Sequence, residues 1–143
     1  MNITKIELAC IGIFILLCVI SVYFYPQMPH ILATQWDFYG NVSGAIPKAL
    51  GLFIAPAFLA ALILTLVIIP RVASVSSNPE RFKKVFGGIV ITFSIIILAA
   101  QYHVILWNIG IKNNPNWVIG FICIVIVTFF FWRYRIRHQN NSN

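Results

Sequence analysis

The chain has 143 residues, of which 60% are hydrophobic and 9% are charged, and its formal net charge is +7. Ordinary globular proteins carry about 25% charged residues, so this composition excludes a typical soluble domain. The apolar side chains need a lipid environment to cover them. A helix that crosses a hydrocarbon core of about 30 Å needs roughly 20 apolar residues.

Four apolar runs meet or approach this length. Residues 8–25, 49–69 and 85–107 contain no Asp, Glu, Lys or Arg. The fourth run, residues 117–132, is shorter, and we expect flanking residues to extend it or its ends to snorkel. We therefore predict an all-α fold, an integral membrane four-helix bundle that forms a single domain over residues 1–143. The predicted helices are residues 6–25, 48–69, 79–107 and 116–133.

The basic residues are distributed unevenly around these helices. Eight of the ten Lys and Arg residues precede the first run, lie between the second and third runs, or follow the fourth, whereas Lys48 and Lys112 lie on the opposite side. Because short loops rich in Lys and Arg stay in the cytoplasm, we predict a multi-pass protein of the cell membrane with both termini in the cytoplasm. Attraction to anionic lipid headgroups accounts for the charge without a nucleic-acid partner. The tryptophans form an aromatic belt in this arrangement, with Trp36, Trp107 and Trp117 outside and Trp132 inside.

The predicted extracytoplasmic loop, residues 26–47, is the longest connection between helices. Loops of this length are usually functional or disordered, and side chains such as Trp36 and Phe38 are too apolar for disorder. We expect a structured lid that lies on the outer ends of the helices. Gly40 and Gly44 are expected at turns with positive φ.

Asp37 is the one acidic residue on the predicted outer side. A pair between Asp37 and Lys48, at the start of the second helix, is expected. Such a pair would either pin the loop or present a charge to a ligand, and both interpretations stay open.

Three prolines mark features of the helices. Pro47 suits the first turn of the second helix, where a missing N–H costs nothing. Pro56 falls inside that helix and frees a backbone carbonyl, which neighbouring helices can satisfy. Asn78 followed by Pro79 predicts that the third helix begins at Pro79.

The most polar cluster near any span is Gln101, Tyr102 and His103. Ionisable groups inside a membrane are costly and suggest function, but His103 lies only four residues before Trp107 and hence near the interface. Two interpretations stay open: inter-helix hydrogen bonds or interface anchoring, and a role in binding or proton handling.

The sequence offers no set of residues for catalysis. It has no carboxylate inside a span, no HExxH motif and no glycine-rich phosphate loop, so we expect no enzymatic activity and no cofactor. The cysteines, Cys10, Cys18 and Cys123, lie inside predicted spans without metal-ligand spacing. We expect them to fill helix interfaces, and we expect no metal site.

The loop residues resemble a known family. The segments that carry the resemblance are Tyr25-Pro26-Gln27-Met28-Pro29, Ala33-Thr34-Gln35-Trp36-Asp37, Gly40, Gly44 and Lys48, followed by Ile69-Pro70-Arg71 and Asn78-x-x-Arg81-Phe82. Over roughly residues 20–110, this pattern is similar to the N-terminal domain of unknown function in SdpI-type immunity proteins. The chain departs from it at Gln35, where the family usually has His, and at Ser43, where it has an acidic residue. It also lacks the two further helices of full-length members.

The resemblance implies a membrane protein that protects its producer against a secreted peptide toxin, and in some members one that holds a cytoplasmic regulator at the membrane. The candidate partners are the lipid bilayer, a secreted peptide, a cytoplasmic regulator and a second copy of the chain. The alternative is a small transport component or a subunit of a larger membrane complex. The candidate ligand-binding residues are Pro29, Gln35, Trp36, Asp37, Gly40, Lys48 and His103.

Overall fold

The computed structural model of the protein describes residues 5–72 and 79–139. Within them the elements are α1 (Lys5–Phe24), β1 (Ile31–Trp36), β2 (Val42–Pro47), α2 (Lys48–Val72), α3 (Pro79–Asn108) and α4 (Asn116–Gln139), with a short 3-10 turn, Tyr25–Gln27, after α1. Among the described residues, four helices are long and apolar enough to cross a membrane, which confirms the predicted number of candidate spans. α4 extends beyond its predicted end, because flanking residues lengthen the short fourth run. Asn78, the predicted cap of α3, lies outside the described residues.

The connection between α1 and α2 is a β-hairpin, so the all-α prediction was wrong for this segment. β1 and β2 pair antiparallel, with Ile31 opposite Pro47 and Trp36 opposite Val42. β1 contains Ile31, Thr34 and Trp36, and β2 contains Val42 and Ile46. These residue types favour a pleated surface, and the strands flank a turn that contains glycine.

Two residues of β2 differ from their predicted roles. Pro47 ends the strand and does not open α2, which begins at Lys48. Proline is tolerated there because the strand lies at an edge of the two-stranded sheet. Gly44 lies within β2 opposite Gln35 and not in the turn. A side chain at position 44 would bring its Cβ atom within 2.6 Å of Gln35 Oε1.

α3 is the central helix of the bundle. It packs against α1, α2, α4 and β1, whereas α4 packs against α3 alone among the described elements. We call the end of the bundle that carries the hairpin the hairpin end, and the end where α1 begins and α4 finishes the far end. The hairpin is held at its end by Leu32, which is fully buried in a core cluster with Leu52 and Ile105. Gly51 makes room for it, since a Cβ there would lie 2.8 Å from Leu32 Cδ1.

The carbonyl of Leu52 joins three helices. In a regular α-helix it would accept the N–H of residue 56, and Pro56 has no N–H. Ser21 Oγ of α1 donates to this oxygen at 2.8 Å, and Gln101 Nε2 of α3 donates to it at 3.2 Å. Both donors are buried. The neighbouring helices therefore satisfy the carbonyl that the proline frees, as predicted, and Gln101 makes the inter-helix hydrogen bond.

Removing both donors is expected to destabilise the bundle. Ser21→Ala together with Gln101→Leu leaves the Leu52 carbonyl without a partner and should lower the free energy of unfolding by about 2 kcal/mol. Adding Pro56→Ala restores the backbone donor and should recover part of that loss. Denaturation with sodium dodecyl sulfate in mixed micelles measures the effect. Thr65→Val is the control, because the Thr65 hydroxyl bonds only the Leu62 carbonyl of its own helix at an exposed position. A double variant as stable as this control would contradict the interpretation.

Candidate functional site

An aromatic cluster at the hairpin end surrounds His103, whose side chain is only 3% exposed. The Trp36 ring centroid lies 4.6 Å from that of His103, and the Trp117 and Trp107 centroids lie 5.8 and 6.0 Å away. The ring centroids of Trp36 and Trp107 are 5.3 Å apart, so these two rings also contact each other. We call these four residues the His103 cluster.

Three separate segments build this cluster. His103 and Trp107 lie one turn apart on α3, so they share a face of that helix. Trp36 ends β1, and Trp117 lies in the first turn of α4. The cluster therefore exists only when the hairpin and the start of α4 are both placed against α3.

Three nitrogen atoms in the cluster are buried without a hydrogen-bond partner among the described residues: Trp36 Nε1, His103 Nδ1 and His103 Nε2. An indole N–H is always a donor, and an imidazole carries at least one N–H. A buried donor that is left unpaired costs about 1–3 kcal/mol. The cluster can therefore present at least two N–H groups, from different segments, to an acceptor oxygen.

Asn108, one residue past Trp107 on α3, holds the hairpin in place. Its Oδ1 accepts the backbone N–H of Ala33 at 2.9 Å, and its Nδ2 donates to the Ala33 carbonyl at 2.9 Å. Nδ2 also donates to the Val104 carbonyl of its own helix. Because a single amide satisfies both backbone groups of Ala33, it acts as an extra strand partner for β1.

The hairpin turn is organised by Asp37. Its carboxylate accepts hydrogen bonds from the backbone N–H of Tyr39 and from the backbone and side-chain N–H groups of Asn41. These hydrogen bonds hold the pKa of Asp37 below its ordinary value, and the bond from the Asn41 side chain contributes most to this lowering. Gly40 has a φ of +86°, as predicted for a turn, and a Cβ there would lie 3.4 Å from Pro115 Cδ of the α3–α4 connection.

Asp37 and Lys48, both in the described part of the chain, do not form the expected pair. Asp37 follows β1 at the turn, whereas Lys48 follows Pro47 at the open end of the hairpin, so the length of the strands separates them. The Lys48 ammonium lies 4.5 Å from the centroid of the Tyr25 ring, a cation–π contact.

The candidate residues therefore fall into separate groups. Trp36 and His103 come together in the cluster, and Asp37 and Gly40 form the turn. Pro29 is exposed before β1, and Gln35 is exposed within β1. Lys48 lies against Tyr25. The sequence analysis missed Asn108, and it assigned Trp107 and Trp117 to an interfacial belt. The four-residue spacing of His103 and Trp107 could have predicted that the two rings share a face of α3. The contact with Trp36 could not have been predicted in this way, because Trp36 lies far away in the sequence.

The fold and composition define a multi-pass membrane protein. A family model described as a domain of unknown function, DUF1648, matches residues 12–60. The matched segment contains most of α1, the hairpin and the part of α2 that includes Pro56, but not His103. No curated protein matches the chain, and no solved structure matches it.

Replacing Asn108 is expected to loosen the hairpin. Asn108→Ala removes both hydrogen bonds to Ala33, so hydrogen exchange at the Ala33 amide should accelerate by about tenfold or more. Exchange measured by mass spectrometry on peptides from β1 reports this. Asn114→Ala is the control, because Asn114 is exposed and accepts a bond from the Asn116 N–H in the next connection. Unchanged exchange at Ala33 would show that the aromatic contacts alone hold the strand.

The turn is expected to respond to acid. A carboxylate with a depressed pKa contributes stability that is fully present above its unfolded pKa, about 3.9, and that is lost as the pH falls through the lower folded value. Exchange at the Asn41 amide, corrected for its intrinsic rate, should therefore speed up only below about pH 4. Asp37→Asn should abolish this dependence. An acid response that persists in Asp37→Asn would assign it to another group.

Proposed function

We propose that this protein is a membrane-resident receptor for a secreted peptide, in the manner of the SdpI-type immunity proteins. The hairpin end faces the outside and both termini lie in the cytoplasm of the producing cell, as the distribution of Lys and Arg indicates. The observation that carries the proposal is the His103 cluster, which has unpaired N–H groups beneath a hairpin whose first strand is bound by the Asn108 side chain.

Recognition combines apolar contact with a few placed donors. Phe38 and Tyr39, at the tip of the hairpin, are 80% and 87% exposed, so they offer aromatic surface to an incoming peptide. Aromatic side chains carry much of the energy of such interfaces. Trp36 Nε1 and an N–H of His103 then donate to a carbonyl or carboxylate oxygen of the peptide that reaches between the hairpin and α3. Binding at this site needs no catalytic group.

The far end supplies the second half of the proposal. Arg133, near the end of α4, is exposed, and it forms part of the basic surface that a cytoplasmic regulator of negative charge would contact. Binding of the peptide and release of the regulator would then be linked through α3 and α4.

The proposal is tested by photocrosslinking in the producing cells. With Phe38→benzoylphenylalanine as the probe, we expect capture of a secreted peptide, identified by mass spectrometry. His103→Phe and Trp36→Phe keep the rings and remove the nitrogen donors, so each should lower the yield about tenfold or more. Each should also remove protection against the peptide and leave membrane insertion intact.

Trp117→Phe is the matched control, because it changes an indole of the same cluster whose nitrogen is not among the unpaired atoms. Equal crosslinking yields for His103→Phe, Trp36→Phe and Trp117→Phe would show that the nitrogen atoms take no part in binding the peptide. A crosslinked sample that contains no secreted peptide would overturn the proposal.

A second candidate function, a transport component or a subunit of a larger membrane complex, is favoured by α4. No residue of its apolar stretch, Asn116–Arg135, is buried within the chain. This candidate predicts co-purification with other membrane subunits in a fixed ratio, and impaired solute uptake in His103→Ala. A particle of this chain alone, with no uptake in vesicles, would exclude it.

A further inference from the structure

A groove runs along α3 between α1 and α4, which do not contact each other in the described residues. It contains two cavities of about 410 and 420 Å³ that share Ile95 as a wall residue. The first lies toward the hairpin end beside Trp117, and the second lies toward the far end, between Ile6 and Trp132. Each has the volume of a small-molecule site, about 300–1,000 Å³.

The hydroxyl groups that line the far-end cavity are already engaged. Its two hydroxyl groups are used within their own helices: Thr92 Oγ1 donates to the Gly88 carbonyl and Thr128 Oγ1 to the Ile124 carbonyl. The remaining walls are aliphatic and aromatic. The occupant that suits such a cavity inside a bilayer is a hydrocarbon chain.

The far-end cavity fits within one leaflet. Its wall residues on α3 run from Gly88 to Ile95, which is seven residues, or about 10 Å of helix. This is less than half of a hydrocarbon core of about 30 Å. One acyl chain that enters beside Trp132 therefore lies along α3 as far as Ile95 without leaving its own leaflet.

The entrance to the cavity is basic. Arg135 lies two turns beyond Thr128 on the same face of α4, and its guanidinium carbon is held 5.6 Å from the centroid of the Phe131 ring. Lys5 immediately precedes Ile6, the residue of α1 that lines the cavity. Both Lys5 and Arg135 are exposed. Glu7 is the acidic residue of α1 at this end.

We propose that the far-end cavity binds one anionic phospholipid, with an acyl chain between α1 and α4 and its phosphate at Lys5 and Arg135. This inference is independent of the proposed function at the hairpin end. The basic entrance favours an anionic over a zwitterionic lipid, because each basic residue near a headgroup surface contributes about fivefold in affinity.

Native mass spectrometry of the full chain in mild detergent tests the proposal. Titration with phosphatidylglycerol and phosphatidylcholine of the same acyl chains should show one phosphatidylglycerol retained with at least about fivefold preference. Arg135→Gln should reduce that preference about fivefold, whereas Thr128→Trp, which fills the cavity, should abolish retention of either lipid. Val127→Trp is the matched control, since Val127 is exposed on another face of α4 and does not line the cavity.

Equal retention of the two lipids by the unmodified chain would overturn the proposal, and so would retention that Arg135→Gln leaves unchanged. Because Arg135 is exposed, its replacement decides the matter even where Thr128→Trp fails to fold. A Thr128→Cys variant that crosslinks to a second copy in native membranes would assign the cavity to a helix of another protomer and would also refute the lipid.

Discussion

The hairpin end depends on the hydrogen bonds that the Leu52 carbonyl accepts from two neighbouring helices. Pro56 removes its ordinary donor, and hydrocarbon offers no water to replace it. Ser21 and Gln101 supply donors from α1 and α3, so a local defect in α2 fixes the relative positions of three helices. The side chain of Leu52 belongs to the same core cluster as Leu32. The point where the helices are joined is therefore also the surface on which the hairpin rests.

The hairpin is attached by contacts of two kinds. Leu32 is buried beside Gly51. It anchors the open end of the hairpin in the core. Nearer the turn, the attachment consists of the Asn108 amide and the rings around His103, and the cluster contains buried N–H groups without partners. Because unpaired donors are costly, a ligand oxygen that reaches them gains more free energy than it would at a surface site. This difference supports the proposal that a peptide is recognised at the part of the hairpin near the turn.

The two ends of the bundle differ in their chemistry. The hairpin end presents aromatic rings and N–H groups, whereas the far end combines an apolar cavity with exposed basic residues. α3 contributes to both, through His103 at one end and Gly88 at the other, where a Cβ would lie 2.8 Å from the Trp132 ring. The proposed peptide at one end and the proposed phospholipid at the other would thus act on the same helix without competing for the same residues.

The sequence by itself determined the four helices, because a run of apolar residues long enough to span a bilayer has few other stable conformations. It also determined that the Leu52 carbonyl needs donors from outside its own helix, since Pro56 has no N–H. It permitted a positive φ at both Gly40 and Gly44, but of these two only Gly40 adopts one. Only the tertiary structure decided that the connection pairs as a hairpin, because pairing depends on a register that hydropathy does not specify. It alone brought Ala33 to Asn108, 75 residues away, and Trp36 to His103, because contacts between distant segments depend on how the helices pack.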